Sequence, residues 1–196
     1  MGNKKIKTLY VIFFVAFVLC LFAYPSYSKT SNFKIKGNLT QNYSVPTAEI
    51  ERMFRSKLNL GNSVIYTKVP RGLVVSIDST VFFNLGQDEL LEQSKSVLYQ
   101  IALILKTLNN QCIVEGNTDV DSWEVSNYQY NWELSTVRAG KIVDYLIKVE
   151  KVNPHRINAI GFGEMMPFYD NVNYRQNMNK RIDFVIINYE KQKPLS

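Results

Sequence analysis

The chain has 196 residues, enough for one domain with extensions, and its 46% apolar and 13% aromatic content supplies ample material for a packed core. The formal charge is +6, yet Lys and Arg are dispersed along the chain, so the one-sided basic surface that nucleic acid requires is not implied. A single histidine, His155, argues against a zinc site and against a Ser-His-Asp triad, and reads as a solvated turn residue.

The N-terminus is set apart. Lys4, Lys5 and Lys7 precede an apolar run from Leu9 to Ala23, followed by Tyr24-Pro25-Ser26-Tyr27-Ser28. A basic start, a short apolar core and small residues beyond it fit a secretory signal peptide over 1–28, cleaved after Ser28. The alternative is an uncleaved membrane anchor, although the run is short of the roughly 20 apolar residues that span a bilayer. Cys20 is poorly placed for lipidation, because Leu19 precedes it and Leu21-Phe22-Ala23 follow. Cleavage lowers the charge to +3 and leaves Cys112 as the one thiol, so no internal disulfide can form.

Residues 29–45 read as a linker rich in Ser, Thr, Asn and Lys, and 46–72 as a lead-in helix and strand. Thr47 is placed as the N-cap of a helix bearing Ile50, Met53, Phe54 and Leu58, with Gly61 as its C-terminal stop. Ser63–Val69 and Leu73–Ser79, joined by Pro70-Arg71-Gly72, form a hairpin signal. Gln87–Leu108 carries apolar residues near the 3.6 period, from Leu90 and Leu91 through Leu98 and Ile101 to Leu105. A strand over Gln111–Glu115, a polar loop over Gly116–Asn131 and a helix over Trp132–Val149 follow, the last with Leu134, Val137, Ile142 and Leu146 inward. Ile157–Phe162 and Arg181–Tyr189 complete the strands, the second mostly buried. The expected fold class is α/β (an α+β sandwich): a mixed β-sheet of about four strands with helices packed on one face.

The chemistry concentrates at Asp119 and Arg138. Asp119 follows an apolar strand and Arg138 lies in the second turn of the next helix, so topology can bring both to one sheet edge. A guanidinium takes a carboxylate in two parallel hydrogen bonds and an aspartate accepts from an ammonium, so a zwitterionic amino-acid group would satisfy both. The blander alternatives are an Asx-type turn for Asp119 and a solvated helix face for Arg138. Asp119, Asp121 and Glu124 lack the calcium-loop pattern. Glu115 and Asp119 are weak candidates for a glycosidase pair, and Gly161-Phe162-Gly163 is too short for a nucleotide motif. Phe82 is assigned to the core, while Phe83 and Asn84 wall the site; Tyr130 and Trp132 are open to interface, pocket or core.

Several ordered motifs carry a family resemblance: Val81-Phe82-Phe83-Asn84, Glu115-Gly116-Asn117-Thr118-Asp119, Asn131-Trp132-Glu133-Leu134-Ser135-Thr136-Val137-Arg138-Ala139, Gly161-Phe162-Gly163-Glu164-Met165-Met166-Pro167, Asp170-Asn171 and Asn179-Lys180-Arg181-Ile182. In these, Val75–Ile187 resembles the OmpA/MotB C-terminal domain, with the Asn-Trp-Glu-Leu-Ser run most like the MotB branch. The resemblance implies an OmpA-like peptidoglycan-binding domain over 73–190, followed by a tail at 191–196. It implies that Asp119 and Arg138 hold the two charged ends of diaminopimelate in the stem peptide. Thr118, Asn131, Leu134, Phe83 and Asn84 are the accompanying positions. The chain departs from the family's usual residues at Asn117, where histidine is common, at Asn84, where aspartate is common, and at Asn177.

The resulting expectation is a non-enzymatic module without cofactor or metal, binding peptidoglycan in the periplasm of a Gram-negative cell envelope. It would anchor an envelope complex, such as a secretion system or motor accessory, to the wall, with membrane association only through the N-terminus and homodimerisation left open. The alternative is a protein-interaction subunit of an envelope machine, for example type IV secretion, whose wall site has decayed. A flagellar stator is disfavoured because residues 9–23 hold no ionisable side chain to carry an ion.

Overall fold

A computed structural model describes residues 45–119, 127–167 and 176–188. The leader, the linker up to residue 44, Asp121, Glu124, Asp170-Asn171, Tyr189 and the tail lie outside the described residues. The elements run α1 (Thr47–Lys57), β1 (Val64–Val69), β2 (Gly72–Asp78), α2 (Ser94–Thr107), β3 (Cys112–Asn117), α3 (Asn131–Lys148), β4 (Ile157–Gly163) and β5 (Arg181–Ile187). The strands make one mixed sheet of five in the order β1-β2-β5-β3-β4, parallel only between β3 and β4.

Strand alternation separates two faces. Leu73, Val75 and Ile77 of β2 align with Ile186, Phe184 and Ile182 of β5, and these with Cys112, Val114 and Gly116 of β3. Helical periodicity supplies the complement: Ile50 and Phe54 from α1, Leu98, Ile101 and Leu105 from α2, and Ala139, Ile142 and Leu146 from α3 join the same buried cluster. Each such large side chain contributes about 1.5–3 kcal/mol on burial. Helix α3 approaches the sheet backbone to backbone. A Cβ on Gly116 would stand 2.1 Å from the Ser135 carbonyl oxygen, so only glycine permits this contact.

Several expectations give way. Thr47 is the first helical residue and not the cap, which falls on Pro46; its hydroxyl instead accepts from Asn188 Nδ2 at 3.0 Å, tying α1 to the end of β5. Gly61 does adopt a left-handed φ of 53°, but it opens a separate short turn after α1 has ended at Lys57. The long helix begins only at Ser94. Leu90 pairs with Phe83 in a short bridge, and the Leu91 N–H donates to the Phe82 carbonyl at 2.9 Å, which holds 84–91 out of helical geometry. Strand β3 also runs two residues further than expected, taking in Gly116 and Asn117. Val137 is half-buried, and Ser135 and Arg138 turn inward on α3.

Candidate functional site

Because β2, β3 and β4 run opposite to β5, four segments meet at one sheet edge: Ser79–Asn84 after β2, Thr118-Asp119 after β3, Glu164–Met166 after β4 and Met178–Lys180 before β5. Backbone hydrogen bonds stitch them together, Ser79 N–H to Lys180 O at 2.8 Å and Thr118 N–H to Gly163 O at 2.9 Å. The N-terminus of α3 comes to the same edge, since the Gly163 N–H donates to the Ser135 hydroxyl at 2.9 Å.

Arg138 is 4% exposed, so it is not a solvated helix residue. Its Nε donates to the Gln87 carbonyl at 2.7 Å and its Nη2 to the Asn84 carbonyl at 3.0 Å, and the guanidinium carbon lies 5.1 Å from the Phe83 ring centre. Those carbonyls are available because 84–91 is not helical. Burial pushes the guanidinium down to about 10, opposed by Asp88 and Tyr128, so the charge persists at neutral pH. Asp88 itself pairs with Lys141 at 3.2 Å. Beside Gln87, one of Arg138's carbonyl partners, lies a depression of about 230 Å³ lined by Gly86, Gln87, Asp88, Glu89, Asn127 and Tyr128.

Asp119 stands two residues beyond β3, about a third exposed, with Lys180 Nζ 3.9 Å from its Oδ2. Its neighbour Thr118 is buried, and the Thr118 hydroxyl has no hydrogen-bond partner among the described residues. Thus the fold groups Arg138 with Phe83 and Asn84, and Asp119 with Thr118 and Lys180. Asn131 is buried at the start of α3, and Leu134 is fully buried, seating the helix without meeting solvent. Phe82 is in the core as expected, and so is Phe83 apart from the face it gives Arg138. Tyr130 and Trp132 are about half exposed.

A polar network on the sheet face away from the helices escaped the sequence reading. Asn117 Nδ2 donates to Asp183 Oδ2 at 3.0 Å, and Arg181 Nε donates to the same carboxylate at 3.0 and 3.1 Å. Arg181 also donates from Nη1 to Met178 O and from Nη2 to Met166 O, joining the segments before β5 and after β4. Glu115, opposite Asp183, meets Arg71 Nη2 at 3.0 Å. Burial raises both carboxyls above their usual range, with the arginines pulling the other way. The available signal was polar residues at alternate positions, Glu115 and Asn117, Arg181 and Asp183, in strands otherwise apolar.

The family profile described as "OmpA family" matches residues 82–181, which is just over half of the chain and spans every segment of this edge from Phe82 onward. Among curated proteins, the uncharacterized protein YtxE of Bacillus subtilis is 37% identical over 119 residues, covering 59% of this chain and 48% of that protein. Motility protein B of Bacillus subtilis is 25% identical over 142 residues, covering 71% and 54%. The chain thus matches about half the length of these relatives. Among solved structures, the cell wall anchor of the type VI secretion system from Pseudomonas aeruginosa superposes with a TM-score of 0.57 at 20% identity, over 70% of this chain and 96% of that one, a likeness of fold. The matched profile and the five-stranded sheet agree: the chain belongs to the OmpA family.

Proposed function

We propose that this protein is a non-catalytic peptidoglycan-binding module that fixes an envelope assembly to the cell wall. In this reading Arg138 takes the carboxylate, and Asp119 the ammonium, of diaminopimelate in the stem peptide. The observation that carries it is the setting of Arg138: a buried, charged guanidinium held by two backbone carbonyls and an aromatic face, with one of those carbonyl residues, Gln87, lining an open depression. A surface arginine would not need such support, and an anion received there forms a charge-assisted pair away from bulk water. Phe83 and Asn84 shape the Arg138 side, and Thr118 and Asn131 the Asp119 side. The Pseudomonas relative in fold is a cell wall anchor, and a 29% identical relative from Pseudomonas putida is named peptidoglycan-associated lipoprotein. Residues 1–28 would deliver or tether the module on the outer side of the inner membrane. Retention on purified sacculi tests the reading. Wild type should co-sediment, Asp119→Ala and Arg138→Ala should not, and unchanged retention of both variants refutes it.

One observation favours a second reading, a protein-interaction subunit whose wall site has decayed. Lys180 places a cation 3.9 Å from Asp119, where the ligand's ammonium would have to sit. Calorimetric titration with a diaminopimelate-containing stem peptide separates the two, since a folded sample giving no heat supports decay.

A further inference from the structure

Lys180 is the cation at this edge that the pairing of Arg138 and Asp119 with a zwitterion leaves over. Arg181 is matched by Asp183 and Lys141 by Asp88, and in the reading above Arg138 takes one carboxylate. The Lys180 backbone is fixed. Its carbonyl accepts from the Ser79 N–H at 2.8 Å, and the next residue, Arg181, is buried and donates to Met178 O and Met166 O. The side chain leaves that anchor about a third exposed, with Nζ 3.9 Å from Asp119 Oδ2. This is close enough for ionic attraction and too long for a hydrogen bond. Among the described residues Nζ donates to no acceptor, and Glu164, exposed on the segment after β4, makes no ion pair with it.

That placement makes a demand on the ligand. An ammonium seated on Asp119 comes close to the Lys180 ammonium, and like charges so near each other at a protein surface repel. The lysine stem is flexible, so Lys180 can swing from Asp119 as the incoming ammonium arrives, keeping its charge and three donors for another acceptor. A second carboxylate near the ligand's ammonium supplies that acceptor. A neutral carboxamide in its place leaves the repulsion uncompensated. The protein charges, Arg138 positive, Asp119 negative and Lys180 positive, thus complement a ligand that brings two carboxylates and one ammonium. Selection of this kind works by penalising the wrong ligand as well as by holding the right one.

We propose that Lys180 is a specificity residue that selects stem peptides bearing a second free carboxylate over their carboxamide forms. The proposal rests on the charge-pair reading above and names the form of ligand that the site takes. Two carboxyls of such a peptide are candidates: the α-carboxyl of the glutamate joined to diaminopimelate, and the carboxyl of diaminopimelate's chain-linked centre. Calorimetric titration of the full chain with three tripeptides distinguishes them, one with every carboxyl free and one with each candidate amidated. Wild type should bind the free acid at least about fivefold tighter than one of the amides, a surface ion pair's worth, and that amide identifies the carboxylate. Lys180→Gln should bring the ratio below about twofold, weakening the acid while leaving or improving the amide, and Lys180→Arg should keep it. Circular dichroism of both variants should match wild type. A lysine with only a structural role would lower all three affinities alike, which overturns the proposal. Wild type binding the three peptides equally, or Lys180→Gln keeping the ratio, overturns it too while leaving the charge-pair reading intact. Wild type binding none of them overturns that reading and the proposal with it.

Discussion

Arg138 Nη2 and the carbonyl oxygen of Asn84 are 3.0 Å apart although 54 residues separate them in sequence, and Gln87 receives Nε of the same guanidinium at 2.7 Å. One side chain thereby holds the 84–87 turn against α3 while keeping its own charge beside the depression. Arg138→Lys should expose this double duty. Lysine keeps the charge but not the fork, so at least one carbonyl loses its donor, costing about 1–3 kcal/mol in denaturant unfolding. Stem-peptide affinity should fall by about tenfold or more in calorimetry, one charge-assisted hydrogen bond's worth.

Asp119 should behave differently. It is about a third exposed and its ion pair with Lys180 is long at 3.9 Å, so the pair adds only ~0–1 kcal/mol to stability. Asp119→Asn is expected to unfold within about 1 kcal/mol of wild type yet lose more than roughly tenfold in stem-peptide affinity. A large stability loss would mean that Asp119 is structural, the Asx-turn alternative.

The carboxyls of Glu115 and Asp183 carry a pH signature. Burial raises both above their ordinary values of 4.5 and 3.8, so the folded state holds these protons more tightly than the unfolded chain. Their contribution is therefore most favourable below those values and declines as pH rises through the raised folded-state range. Replacing them by Glu115→Gln and Asp183→Asn removes that slope. Urea unfolding of wild type and variants between about pH 4 and 7 should show wild type losing ground to each variant as pH rises. A difference that stays constant or moves the other way contradicts the burial account.

Gly116→Ala tests the close approach of α3. Its new Cβ would fall 2.1 Å from the Ser135 carbonyl oxygen, which is backbone and cannot swing aside. Overpacking of this kind should cost roughly 3 kcal/mol, read as a lower denaturation midpoint, with α3 displaced and ligand binding lost in parallel.

Much of this architecture was written in local pattern. The Pro70-Arg71-Gly72 hairpin, the inward stripe of α3 and the alternation of β5 each follow from periodicity, because packing obeys those patterns directly. The residues 87–93 did not, since Leu90 and Leu91 satisfy a helical period while Phe82 and Phe83, more distant partners, claim their backbone. The site divides in the same way. Asp119 and Arg138 stood out as charge in informative places, whereas the carbonyls of Asn84 and Gln87 carry no residue-type signal. Lys180 and Arg181 looked alike in sequence, and only the paired strands turn one toward Asp119 and the other toward Asp183.

Strand β3 lies inside the sheet, bonded to β5 on one side and to β4 on the other, and Asp119 hangs from its end. Tension applied at that residue therefore runs lengthwise along the strand, and both flanking ladders resist it together in shear. An edge strand would instead peel open one bond at a time. In the proposed role of a wall anchor, that placement would make the grip mechanically durable.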